Sequence, residues 1–243
     1  MIPWLSAATP FPSVSAALKR PNGLLAASSP ADLTAPRLVQ AYRAGIFPWF
    51  NQGEPALWWS PDPRMVLFVA EFHVSHSLHK LLRGLTRSSD LHLHADRAFE
   101  SVMRACAAPR LGQDGTWISE PMISGYCALA SEGLAHSIEL RRGEELLGGL
   151  YGVCLGRMFF GESMFSRQPN ASKIALATLV ALLRREGVAM IDCQQSTGHL
   201  SSLGAREVRR AQFIQRVSEA VQAAPIDWSV YHGARLNSLL SDH

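Results

Sequence analysis

Apolar positions first fall into a helical rhythm at Leu38, Val39, Tyr42 and Ile46. Thr34-Ala35-Pro36 supplies the start, a capping hydroxyl with a proline tolerated in the first turn, and Gly45 supplies the stop. Residues 1–31 are rich in Pro, Ser and Ala and show little periodicity, so they are expected to lie extended over the surface, with Trp4 and Phe11 available to pin them. Phe47 to Arg64 carries Trp49, Trp58, Trp59 and four prolines and reads as loop or short strand. Met65 to Phe72 is an apolar run of strand length, His76 to Arg87 looks helical, and Leu91 to His94 alternates like a short strand. Helices are predicted over Ala98–Ala107 and Glu120–Glu132, the second closed by Gly133.

The pattern then changes period. Ala135–Leu140, Leu146–Val153 and Arg157–Phe160 alternate as strands, separated by turns at Arg142-Gly143-Glu144 and Gly156, which predicts an antiparallel meander. Asn170 is placed to cap a helix over Ala171–Glu186 whose apolar residues surround nearly its whole circumference, so it should be buried. Gly187 ends it, and Val188–Cys193 forms a strand that the helical crossover makes parallel to its predecessor. This β-β-β-α-β order resembles the core of the GCN5-related N-acyltransferase fold, an α+β architecture in which donors sit in a split between the strands flanking the crossover helix. The pattern assigns no order to the tail that begins at Pro225.

Composition narrows the class. The 243 residues are 47% hydrophobic and 18% charged, a charge-poor chain long enough to bury a real core without disulfide or metal staples. A net charge of +3 argues against a generic nucleic-acid coat, so any RNA contact must be a local patch. Cys106, Cys127, Cys154 and Cys193 form no CxxC pair and suit a reducing cytoplasm. The longest apolar stretch, Ile174–Leu183, is too short for a membrane span, and the N-terminus lacks the charged start and apolar run of a signal peptide. A soluble cytoplasmic protein is expected.

Candidate chemistry gathers at the end of the last strand. Asp192 and Gln194, two apart, are expected to project from one face at its C-terminal end, where open sheets bind ligands; a solvated strand end making loop hydrogen bonds would use the same pair. Glu162, just after the third meander strand, should reach the same split, with Phe160, Met164 and Phe165 as apolar walls. The helix start Gln168-Pro169-Asn170 has no glycine, and Pro169 removes an N–H donor, which disfavours coenzyme A. No GxxxxGK[ST] loop is present, so ATP is not expected to drive the reaction and the acyl donor should arrive activated. His73, His76 and His79, with His92 and His94, lack ligand partners at familiar spacing, and no metal or other cofactor is expected. A coenzyme A-dependent acetyltransferase, a noncatalytic RNA-end or peptide binder and a histidine-based metallohydrolase stand as alternatives.

Longer motifs decide among these. Gly45-Ile46-Phe47-Pro48-Trp49-Phe50, Leu57-Trp58-Trp59-Ser60-Pro61-Asp62-Pro63-Arg64, Thr116-Trp117-Ile118, Gly148-Gly149-Leu150-Tyr151-Gly152, Gly161-Glu162-Ser163-Met164-Phe165-Ser166, Ile191-Asp192-Cys193-Gln194 and Ser202-Leu203-Gly204-Ala205 occur in order. Over roughly residues 11–215 the sequence thereby resembles the leucyl/phenylalanyl-tRNA–protein transferase family. The resemblance implies a small N-terminal domain, here residues 1–64, and a GCN5-like catalytic domain with a C-terminal tail, residues 65–243. It implies transfer of Leu, Phe or Met from aminoacyl-tRNA to proteins beginning with Arg or Lys, which marks them for N-degron proteolysis, with no cofactor and no membrane. It carries Trp49, Tyr42 and Trp117 over as candidates for the terminal adenosine and pocket mouth, Phe160, Met164 and Leu179 as pocket walls, and Glu162, Asp192 and Gln194 as the polar centre. In the family account Asp192 hydrogen-bonds Gln194, whose carbonyl oxygen draws a proton from the attacking amine. Lys80, Arg83, Arg87, Arg206, Arg209 and Arg210 are candidates for tRNA phosphate. The chain departs from the family at Ser28-Ser29-Pro30-Ala31-Asp32-Leu33, longer than the usual Gly-Gly-Asp-Leu and without glycine, and its tail after Pro225 matches nothing in the family pattern.

Overall fold

A computed structural model describes residues 1–109 and 116–240. Among the described residues the fold is a mixed α/β arrangement of two sheets. The smaller has four strands in the order β1-β2-β4-β3: β1 (Trp4–Leu5), β2 (Leu24–Ser28), β3 (Phe47–Pro48) and β4 (Ala56–Trp59). The N-terminal stretch is therefore not simply laid over the surface. Leu25, Ala26, Ala27 and Ser28 are buried in β2, which pairs antiparallel with β4 because Trp58 and Trp59 supply the apolar face that covers it. Trp4 pins nothing, being 63% exposed; its neighbour Leu5 is the buried residue of β1. Phe11 does pack, edge-on to Trp58 at 4.8 Å and under the Arg37 guanidinium.

Helix α1 (Ala35–Arg43) begins as its sequence predicts: the Thr34 hydroxyl accepts the Arg37 N–H. It ends at Gly45, whose φ of +70° suits glycine and whose missing Cβ leaves room for Ile214. The larger sheet opens with β5 (Arg64–Phe68), shorter than the apolar run to Phe72 because residues 69–71 turn into a 3-10 helix. Then come α2 (His76–Thr86), β6 (Leu91–Ala95), α3 (Phe99–Ala107) and α4 (Glu120–Ser131).

The antiparallel meander is β7 (Ala135–Arg142), β8 (Glu145–Leu155) and β9 (Met158–Ser166). The third strand continues six residues beyond its expected end at Phe160, so Glu162 lies within it. Helix α5 (Ala171–Arg185) crosses to β10 (Met190–Gln194), which runs parallel to β9. Ten residues of α5 are buried, and its first turn seats on β8 where a Cβ on Gly148 would stand 2.4 Å from that of Ala171. Asn170 does not cap this helix with its side chain: it sits at φ +66°, and the Ser166 hydroxyl accepts the Ser172 N–H instead. Helix α6 (Gly198–Ser202), β11 (Arg206–Val208) and α7 (Arg210–Ala220) complete the order β11-β5-β10-β9-β8-β7-β6.

One face of this sheet packs on the small sheet and on α1, α3, α4 and α7, the other on α2 and α5. The tail after Pro225 belongs to the second core. Trp228 stacks on His136 at 3.9 Å, Leu236 and Leu240 are buried, and the Asn237 amide closes the edge of β6 by accepting from Leu93 N–H and donating to the Leu91 carbonyl. Residues 241–243 of the tail lie outside the described residues.

Candidate active site

Strands β9 and β10 pair at Phe159–Ile191 and Phe160–Asp192 and then part. Each carries a bulge at the parting. In β9, Gly152 faces Gly161 and Tyr151 faces Ser163, which makes Glu162 the extra residue. The bulge reverses the alternation: Met158 and Phe160 face the α1–α4 core before it, whereas Phe165 faces that core after it and Met164 turns toward α5. In β10, Asp192 faces Val66 and Gln194 faces Met65, so Cys193 is extra, and Gln194 is driven to φ +56°. Between the parted strands lies a cavity of about 280 Å³. Its walls are Leu67, Leu150, Met164, Leu176, Leu179, Ile191 and Cys193; Glu162, Ser163, Asp192 and Gln194 form its polar end, with Thr197, His199 and Leu200 at the side of α6. Burial pushes the Cys193 thiol up to about 12, so this wall is uncharged.

The polar end is built on Glu162. Its Oε1 accepts from the Tyr42 hydroxyl at 2.6 Å and from the Gln194 side-chain amide at 3.2 Å, and its Oε2 accepts from Tyr126 at 3.0 Å. The two tyrosine hydroxyl oxygens are also neighbours, so that with one proton each the pair can serve either both Glu162 oxygens or one of them and each other. Tyr126 reaches this point because Gly125 lets α4 approach the Leu33 carbonyl, where a Cβ would stand 2.3 Å away. Burial lifts Glu162 to about 7, opposed by the two tyrosine hydrogen bonds. The tyrosines are themselves raised well above their usual range, chiefly by burial and then by the neighbouring carboxylate, so both remain donors.

Asp192 departs from its expected setting. The bulge breaks the two-residue alternation, so Asp192 and Gln194 do not project side by side. Asp192 is fully buried and its carboxylate forms a bidentate ion pair with Arg64, 2.8 and 2.7 Å, Arg64 also being fully buried. Its link to Gln194 is real but runs through the backbone: Oδ1 accepts the Gln194 N–H at 3.0 Å. The Gln194 side chain turns to Glu162 instead. Sequence reasoning missed both Arg64 and Tyr126. Arg64 ends the Trp-Trp-Ser-Pro-Asp-Pro-Arg motif and abuts an apolar strand, a signal of a buried charge needing a partner; nothing local marks Tyr126.

Comparison with known proteins settles the lineage. Residues 66–218 match the family model described as leucyl/phenylalanyl-tRNA protein transferase, and residues 31–62 match that of its N-terminal domain. The chain belongs to this family. It is 57% identical over 232 residues to the leucyl/phenylalanyl-tRNA–protein transferase of Bordetella bronchiseptica, covering 93% of this chain and 91% of that one. It is 58% identical over 221 residues to the transferase of Nitrosospira multiformis, with 91% and 93% covered, and 54% identical to that of Bordetella petrii, with 100% and 96% covered. Among solved structures, L-PGS from Bacillus licheniformis is similar over 69% of this chain and 55% of that chain, at 13% identity and a TM-score of 0.39; a likeness this loose carries no weight.

Within this family member the remaining expected residues divide. Met164 and Leu179 line the cavity. Phe160 does not: it is wholly buried on the opposite face, 4.9 Å from the Tyr42 ring, because the bulge falls after it, and Phe165 also packs into that opposite core. Tyr42 is fully buried and donates to Glu162, so it offers no face to a nucleobase. Trp49 is 36% exposed, edge-on to Trp59, and Trp117 is half-buried against the same core. Among the basic residues, Arg206 is paired with Glu71 and Arg210 donates to the Ser60 carbonyl, while Lys80 and Arg83 on α2 and Arg87 just past its end are exposed. Among the described residues no group of three or more His, Cys, Asp or Glu side chains is arranged to hold a metal ion, and no helix is long and apolar enough to cross a membrane.

Proposed function

We propose that this chain transfers leucine, phenylalanine or methionine from aminoacyl-tRNA to the α-amine of proteins beginning with Arg or Lys, marking them for N-degron proteolysis in the cytoplasm. In this reading residues 65–243 form a GCN5-related N-acyltransferase-like catalytic domain and residues 1–64 a small N-terminal domain. The observation that carries it is an apolar cavity ending in a carboxylate and an amide, Glu162 and Gln194, at the parting of two parallel strands in a chain of the transferase family.

The donor's side chain enters between Met164 and Leu179, and its ester lies at Glu162–Gln194. Attack by the acceptor amine forms the C–N bond and breaks the bond to the ribose oxygen; the amine proton passes to Glu162 and then to that leaving oxygen. An amide oxygen is a weak base, so Gln194 orients and polarises, whereas a carboxylate lifted to about 7 is matched to the task. The Asp192 carboxylate is committed to the buried Arg64 guanidinium in a bidentate ion pair, and its side chain has no exposed surface. The same fact leaves Glu162 as the carboxylate available at this end of the cavity to favour a cationic N-terminal residue, and Glu162→Gln is expected to flatten the preference for Arg and Lys over neutral N-termini. One methylene in an apolar pocket discriminates by only about 1–3 kcal/mol, so rejection of Ile and Val rests on crowding near the β-carbon. Trp49 and Trp117 are the aromatic faces proposed for the terminal adenosine.

The segment leading into helix α2 is tied to the end of α6, where the His73 N–H donates to the Leu203 carbonyl, one residue past that helix. The exposed His76, Lys80 and Arg83 of α2, with Arg87 just past its end, then form a stripe suited to acceptor-stem phosphates. Donor affinity should fall steeply with salt, and reversing Lys80 and Arg83 to Glu should flatten that slope; a salt-independent wild-type affinity would remove the stripe from the account. The activity itself is tested by incubating the protein with leucyl-tRNA and a model protein beginning with Arg. The expected product is heavier by one leucine residue at its N-terminus, and an unchanged N-terminus would contradict the reading.

A further inference from the structure

We infer that Arg64 is a positioning residue for the transfer reaction: through Asp192 and the Gly45 carbonyl it sets the two donors, Gln194 and Tyr42, that converge on one oxygen of Glu162. The inference rests on the transferase reading above and assigns a role to a residue that touches no substrate in it. Arg64 is held on every side. Nε and Nη2 donate to the two oxygens of Asp192, Nη1 donates to the Gly45 carbonyl at 3.2 Å, and the guanidinium lies 4.7 Å from the Phe47 ring and 4.5 Å from the Phe213 ring. A planar fork so enclosed has one orientation, and it imposes one on the Asp192 carboxylate.

Both residues that Arg64 grips stand next to the site in sequence. Asp192 lies two residues before Gln194 and Gly45 three residues after Tyr42. Tyr42 and Gln194 donate to the same Oε1 of Glu162. On the Gln194 side the coupling is explicit, since the Asp192 oxygen that receives Arg64 Nε also receives the Gln194 N–H. Gln194 needs that hold because a left-handed φ of +56° is unfavourable for a side chain with a Cβ by about 1 kcal/mol or more. Without the bond the residue relaxes toward extended backbone, and its amide leaves Glu162. A buried ion pair is not required for stability, because apolar pairs of similar volume serve folds as well or better. What an apolar pair cannot do is accept the N–H that fixes Gln194.

The test is a mutant cycle. Arg64→Met with Asp192→Leu removes both charges and leaves neither orphaned, so the protein should fold; Arg64→Lys, which keeps the charge but loses the fork, is a second probe. Single-turnover transfer to an Arg-initial peptide should slow at least about tenfold in both, with KM for donor and acceptor changed less than about threefold. Adding Gln194→Ala should cost wild type about tenfold or more but the double variant little, since the amide is already misplaced there. Wild-type rates in the folded variants, a loss confined to KM, or an undiminished Gln194→Ala effect would each overturn the inference. Failure of the wild-type protein itself to transfer would instead overturn the transferase reading.

Discussion

Asp192→Asn is expected to destabilise the protein by about 3–5 kcal/mol, because it removes one partner of a fully buried ion pair and leaves the Arg64 charge uncompensated. For a chain of this length that lowers the melting temperature by roughly 10 °C, measurable by calorimetry or urea unfolding. The size of the effect separates two roles. A carboxylate standing at a solvated strand end, free to take protons, would lose within about 0.5 kcal/mol on the same change. Asp192 belongs to the first class because its oxygens are taken by Arg64 and by the Gln194 N–H. Loss of activity in Asp192→Asn is therefore to be read together with its unfolding curve, since a catalytic effect and a fold defect arrive in one substitution. The paired replacement of Arg64 and Asp192 by apolar residues avoids that confusion.

Glu162→Gln is expected to do the opposite to stability while abolishing most of the transfer. In its proposed role as proton acceptor Glu162 is expected to account for about 10²–10⁴ in rate. The wild-type rate should climb with pH through about 7 as the carboxylate ionises, and the Gln variant should lose that limb, leaving only titration of the acceptor amine, near 8. The stability sign follows from the same shift. Glu162 binds its proton more tightly folded, at about 7, than unfolded, near 4.3, so between these values the folded state carries the extra proton and stability falls as pH rises. Above pH 7 the ionised carboxylate costs the fold on the order of 3–4 kcal/mol, and Glu162→Gln recovers much of it. A variant that is less stable than wild type at pH 8, or one that keeps the limb near 7, would remove Glu162 from the proton-transfer role.

Much of the fold was legible in the periodicity. The meander, the all-round apolar helix and the parallel strand β10 needed only alternation, turn glycines and the length of the crossover, and apart from the six-residue extension of β9 each lies close to where the pattern put it. Two things were hidden for one reason. The bulges at Glu162 and Cys193 insert single residues, and a one-residue shift leaves no trace in a hydrophobic pattern while reversing every side chain that follows. That reversal sent Met164 into the cavity and Phe165 out of it, and it separated Asp192 from Gln194. Contacts between distant segments were equally invisible: Tyr42, Tyr126 and Arg64 are brought to the site from three elements that flanking sequence does not tie together. The N-terminal strand β2 escaped notice because Leu24-Leu25-Ala26-Ala27-Ser28 is short and lacks the β-branched and aromatic residues that mark strands; burial against Trp58 and Trp59 makes it one.

The cavity between β9 and β10 is the proposed seat of the donor's amino acid, with its carbonyl at Glu162 and Gln194. The direct measurement is a crystal structure with phenylalanine joined to adenosine by an amide in place of the ester, which binds without reacting. The phenyl ring should lie between Met164 and Leu179 with the carbonyl within hydrogen-bonding distance of Gln194. A ring bound elsewhere, with the cavity closed over by its own side chains, would contradict it.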